Sequence, residues 1–131
     1  MVTGAIARQI TSGADIPFSQ DGPACGSDIT RASDSSFTLA EPGIYMAQFA
    51  LSVSAGHQVL FTLNGEELPY TTVGHNGDAS QLVGVSLITV DTANSVLTLR
   101  NPAENAETLD LTPNAGGYQP VSAHLLITRV Q

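Results

Sequence analysis

Gly43-Ile44-Tyr45-Met46-Ala47-Gln48-Phe49-Ala50-Leu51-Ser52-Val53 is the stretch from which the rest of the chain can be read. Its odd positions, Tyr45, Ala47, Phe49, Leu51 and Val53, are all apolar, the period-two pattern of a strand with one face in a core. The even positions Ile44, Met46, Gln48 and Ala50 are mostly apolar too, which a strand with one solvated face does not show. The closing stretch repeats the pattern, with Ala123, Leu125 and Ile127 on one side and His124 and Leu126 on the other. Along 95–101, Leu97 and Leu99 read as core, leaving Val96, Thr98 and Arg100 outward. Several strands thus carry a second, semi-apolar face. No amphipathic helix pattern is present to cover it, so another copy of the chain is the expected cover.

Outward from this stretch, short runs rich in Val, Ile, Leu, Thr and Phe recur between clusters of Gly, Pro, Asn and Asp. The clearest predicted strands are 37–39, 44–53, 58–63, 82–90, 95–101 and 121–130. Weaker ones are 5–10, 16–18, 29–31, 68–72 and 108–111. Turn residues separate them at Glu41-Pro42-Gly43, Ser54-Ala55-Gly56, Asn64-Gly65, Asn76-Gly77 and Ala115-Gly116-Gly117. Asn64-Gly65 has the two residue types that a type I′ hairpin turn requires at positive φ. Nine or ten strands at this spacing predict an all-β sandwich or closed barrel. With 131 residues, no linker and no internal repeat, the chain reads as one domain, 1–131.

Composition narrows the function classes. The chain is 42% hydrophobic and 12% charged, the reverse of a disordered segment. Its only basic residues besides histidine are Arg8, Arg31, Arg100 and Arg129, set against twelve carboxylates for a net charge of −8. A phosphate backbone would be repelled, and no Lys/Arg stripe exists to follow one, which excludes nucleic acid as a partner. An anionic membrane surface is disfavoured for the same reason. No apolar run approaches the roughly 18–20 residues of a spanning helix, and the N-terminus has no signal-peptide pattern, so membrane insertion is not expected. Cys25 is the single cysteine, read as a small loop residue with neither an internal disulfide nor a cysteine metal site to join. No Asn-x-Ser/Thr acceptor occurs.

The stretch Phe37-Thr-Leu-Ala-Glu-Pro-Gly-Ile-Tyr-Met-Ala-Gln-Phe49 resembles the strand–turn–strand element, with Gly-x-Tyr opening the long third strand, of tumour-necrosis-factor-like and complement-type globular heads. Within that superfamily the sequence is most similar to the C-terminal heads of BclA-like, collagen-like exosporium glycoproteins. Further landmarks follow in order: Ile16-Pro17-Phe18, then Phe61-Thr62-Leu63-Asn64-Gly65, then Ser122-Ala123-His124-Leu125-Leu126-Ile127. The resemblance implies a ten-stranded, homotrimeric jelly roll at the tip of a collagen-like stalk, on a bacterial spore or other extracellular surface. It further implies that Ile44, Met46, Gln48 and Ala50 face the threefold axis. Val96, Thr98, Arg100, His124 and Leu126 join them as the expected trimer interface. Related heads on phage fibres and other bacterial filaments give the alternative, a receptor- or carbohydrate-binding tip.

Candidate chemistry is sparse. His57, His75 and His124 form no metal-ligand spacing, and Cys25 and the serines lack the neighbours of a nucleophile. Asp28, Asp34 and Glu41 are not paired as glycosidase acids are. No catalytic residue, resident metal or cofactor is therefore expected, and the protein reads as a non-enzyme. Complement-type heads raise calcium as a ligand. Asn76, Asp78, Asp15 and Asp21 offer oxygens, without EF-hand spacing, and read better as solvated turn residues. Candidate ligand loops for a host or matrix receptor or a glycan contain Tyr70, His75, Asn76, Asp78 and Tyr118. They lie in the stretches 70–78 and 101–107 and around Tyr118. Arg8, Arg100 and Arg129 are candidates for pairing between chains near the axis. If His124 faces its symmetry mates, protonation would bring like charges together and acid would weaken the assembly.

Overall fold

The period-two runs become strands, and the turn residues become the corners between them. The computed structural model describes residues 2–4, 8–18, 20–22, 26–53, 58–74, 80–104, 109–111 and 123–131. In chain order the strands are β1 (Val2–Gly4), β2 (Arg8–Ile10), β3 (Gln20–Asp21), β4 (Ile29–Arg31), β5 (Phe37–Leu39), β6 (Gly43–Val53) and β7 (Gln58–Leu63). They continue with β8 (Glu66–Glu67), β9 (Val73–Gly74), β10 (Ser80–Val90), β11 (Ser95–Arg100), β12 (Leu109–Leu111) and β13 (Ala123–Arg129). No α-helix occurs among the described residues, and no helix there is long and apolar enough to cross a membrane.

All strand pairings are antiparallel, and they build two sheets. One runs β3-β1-β13-β6-β10, with β12 and β2 continuing beside the Val53 end of β6. The other runs β4-β5-β11-β7-β8, with β9 also on β7. The chain passes from one sheet to the other between β3 and β4, β5 and β6, β6 and β7, β9 and β10, β10 and β11, and β11 and β12. The two sheets bury one core between them. Tyr45, Ala47, Phe49, Leu51 and Val53 enter it from β6, as their alternation predicts, and meet Leu97 and Leu99 of β11 and Val59 and Phe61 of β7. Phe49 and Phe61 pack edge to face across the sandwich, with centroids 5.7 Å apart. The buried Tyr45 hydroxyl donates to the Glu41 carbonyl at 2.6 Å, so no polar group is stranded there.

The Asn64-Gly65 turn has both residues at positive φ, +53° and +83°, as the dipeptide predicts. Its side chain adds what the motif does not contain. Asn64 Oδ1 accepts from the Val96 N–H at 2.9 Å and its Nδ2 donates to Ser95 Oγ at 3.2 Å, which ties the turn to the start of β11.

Two weak strand expectations are corrected. The stretch 16–18, with Ile16 and Phe18 buried, is not a strand but part of a loop lying along the part of β11 that β5 is too short to reach. Gly13 N–H donates to Asn101 O, Asn101 N–H to Ala14 O, and Ile16 N–H to Leu99 O, at 2.7–3.0 Å. The stretch 68–72 forms a 3₁₀ turn at Pro69–Thr71 instead. Pro69 cannot donate to a ladder, and the Thr71 hydroxyl takes the Phe61 N–H at 2.9 Å in place of a strand partner. Of the predicted strand 5–10, residues 5–7 lie outside the described residues. So do the turns at 54–56, 76–77 and 115–117, residues 121–122, and Cys25, His57, His75, Asn76, Asp78, Glu107 and Tyr118.

Candidate functional site: the outer face of the seven-stranded sheet

Residues directly opposite one another in an antiparallel pair point to the same side of the sheet. The register of β13, β6 and β10 therefore assembles the outward side chains into rows. His124, Ala50 and Val83 form one row, Leu126, Gln48 and Val85 the next, and Thr128, Met46 and Leu87 the third; Ile44 and Thr89 continue it. The predicted positions Ile44, Met46, Gln48, Ala50, His124 and Leu126 thus share one surface. The four on β6 are half-buried between their neighbours. At the flanks the apolar side chains stand in solvent: Val83 is 59% exposed, Val85 59%, Leu87 60% and Leu126 38%. In the centre, the Gln48 amide has a soft partner, donating to Met46 Sδ at 3.8 Å.

Sequence reasoning did not single out Val83, Val85 and Leu87. Their strand was expected, but its two faces look alike in hydropathy, because the inward set Leu82, Gly84, Ser86, Ile88, Val90 contains two small residues. Gly84 is small because Phe49 fills its place. A Cβ there would lie 2.6 Å from Phe49 Cε1 and 2.7 Å from Val73 Cγ2.

The other three expected interface residues are not on this surface. Val96, Thr98 and Arg100 belong to β11, which pairs with β5 and β7 in the six-stranded sheet. They do point away from the core, as the alternation predicts, but on the opposite side of the sandwich. There Thr98 is buried, its hydroxyl donating to Asp15 Oδ1 at 3.0 Å and lying in a short hydrogen bond with Thr62 Oγ1. Arg100 Nε donates to the same Asp15 oxygen at 2.8 Å. These contacts hold the 13–16 loop onto β11.

The arginines are likewise engaged within the chain. Arg129 Nη1 faces Asp28 Oδ2 at 3.4 Å and its Nη2 donates to Pro42 O at 3.0 Å. Arg31, which the sequence did not mark, is a hub. It reaches Asp21 Oδ1 at 2.7 Å from Nη2, donates to Phe18 O at 2.6 Å from Nη1, and lies 5.3 Å from the Phe37 ring centroid. The side chain of Arg8 lies outside the described residues.

Of the candidate ligand-loop residues, Tyr70 is 65% exposed on the 3₁₀ turn. Asn101, at the head of the 101–107 stretch, is instead fully buried, with its Nδ2 donating to Ile10 O at 2.8 Å. Of the oxygen ligands considered for calcium, Asp15 is held by Arg100 and Asp21 by Arg31, while Asn76 and Asp78 lie outside the described residues. Among the described residues no three His, Cys, Asp or Glu side chains gather as a metal-holding group.

Compared with known proteins, the sequence matches no family model and no curated protein.

Proposed function

We propose that this chain is a self-associating jelly-roll head, a structural module without chemistry of its own, that holds three copies together and displays their loops on a bacterial spore or cell surface. The reading takes its surface context and stalk from the BclA-like landmarks along the sequence. The repeated passage of the chain between two antiparallel sheets supports the jelly-roll topology.

The observation that carries the self-association is the outward face of β13, β6 and β10. Three aliphatic side chains about 60% exposed on one strand, continuous with Met46, Ile44 and Leu126, are a surface that water disfavours. Covering each of the three would contribute roughly 1–2 kcal/mol at the usual value for aliphatic burial.

A second copy is the occupant that the charges favour. The chain carries a net charge of −8, yet these rows contain no Asp, Glu, Lys or Arg. Like faces can therefore meet without bringing like charges together, whereas a charged partner would find nothing to pair with. Gln48 suits the same occupant, because an amide is both donor and acceptor and matches its own copy. Adhesion then belongs to outward loops such as the turn bearing Tyr70.

Molar mass by light scattering after gel filtration, over a wide dilution range, tests the reading. A species of three times the 13.6 kDa chain mass that survives dilution is expected. A monomer at every concentration overturns it and makes the face a site for a different molecule.

A further inference from the structure

We infer that His124 makes assembly through this face sensitive to acid, each protomer taking up a proton as it leaves the assembly. The inference rests on the reading of the face as the surface between copies. From His124 to Thr89, His124 is the single titratable group in the rows of β13, β6 and β10, and it is exposed.

Among the described residues, the positions around it offer an imidazolium no counter-charge. On β6 the neighbours are Ala50 opposite, with Gln48 and Ser52 to either side. On its own strand the next outward residue is Leu126, and beyond Ala50 lies Val83 of β10. On β1 the opposite position is Thr3. The nearest acidic position by register is Asp21 of β3, beyond Thr3 of β1 and one step off the His124 row; it has core-side parity, opposite Val2, and is held by Arg31. Asp110 of β12, paired with Gln9, lies farther off beyond the Val53 end of β6. Arg129 has core-side parity, opposite Tyr45, and is held by Asp28 and Pro42 at the other end of the strand.

A neutral imidazole can be covered by a second copy at modest cost, since it retains one donor and one acceptor. A protonated one would be desolvated among Ala, Val, Leu and Gln, and in a symmetric assembly it would meet the same charge on its mates. Protonation therefore favours the separated protomer. The sign is opposite to that of the carboxylates, whose mutual repulsion on an acidic chain eases as pH falls.

The test is the assembly's dissociation constant, measured by light scattering or sedimentation at constant ionic strength between about pH 7.5 and about pH 5.5, where imidazole titrates. The wild-type dissociation constant is expected to rise as pH falls, approaching about tenfold per protomer for each pH unit. The His124→Gln variant should assemble at both pH values with this response removed or reversed. A His57→Gln/His75→Gln double variant should keep it. A wild type equally tight at both pH values, or a His124→Gln variant that still loosens in acid, overturns the inference while leaving the interface reading intact. A chain that is monomeric even near pH 7.5 overturns both.

Discussion

At the residue scale, two glycines differ in how far they can be read from the sequence. Gly65 follows Asn64, and the pair announces a tight turn because both residues tolerate positive φ. Gly84 sits in the middle of a strand, where glycine is ordinarily a weakness. Its reason is the Phe49 ring on the neighbouring strand, which occupies the volume a side chain would need. Gly84→Ala is therefore expected to destabilise the fold by about 1–3 kcal/mol, the cost of overpacking a filled core. Urea unfolding of the protein measures it, and an unchanged midpoint would mean that Phe49 can move aside freely. Asp15 has the same kind of hidden role. In the sequence it is a loop acid, but in the fold its carboxylate is shared by Thr98 and Arg100 from a strand far along the chain.

At the element scale, β6 and β10 form the frame of the candidate site, paired over eleven residues each. The alternation in β6 is legible because its inward residues are uniformly apolar and, Ala47 apart, large. That in β10 is not, since small inward residues disguise which side is buried. Val85, opposite Gln48 at the middle of the face, is the position where one charge would do most to separate copies. Val85→Asp should leave an isolated protomer folded, with a stability change within about 0.5 kcal/mol as for ordinary surface positions, while abolishing assembly. Circular dichroism and light scattering on the same sample check both halves, and a Val85→Asp protein of unchanged mass would remove β10 from the interface. β11 teaches the opposite lesson. Its inward and outward residues were read correctly, but not the sheet it joins, so Val96, Thr98 and Arg100 were expected beside Ile44 and lie across the sandwich from it.

At the scale of the whole molecule, folding and assembly become linked if copies cover one another's faces. Whatever binds the folded chain alone raises its apparent stability by mass action. The thermal midpoint should therefore climb with protein concentration, and Val85→Asp should flatten that dependence. A midpoint independent of concentration in the wild type would indicate a self-sufficient protomer.

The sequence by itself determined that the chain is all-β, where its long strands run, and, in β6, β11 and β13, which side chains enter the core. These follow from a pleat whose period of two is local and holds whatever the neighbours are. It also made visible the semi-apolar even face of β6. Only the tertiary structure decided which strands flank that face, bringing Val83, Val85 and Leu87 to it and taking β11 away. Which strands become neighbours, tight hairpins apart, is set by cross-strand contacts between residues distant in the chain, which the local period does not encode.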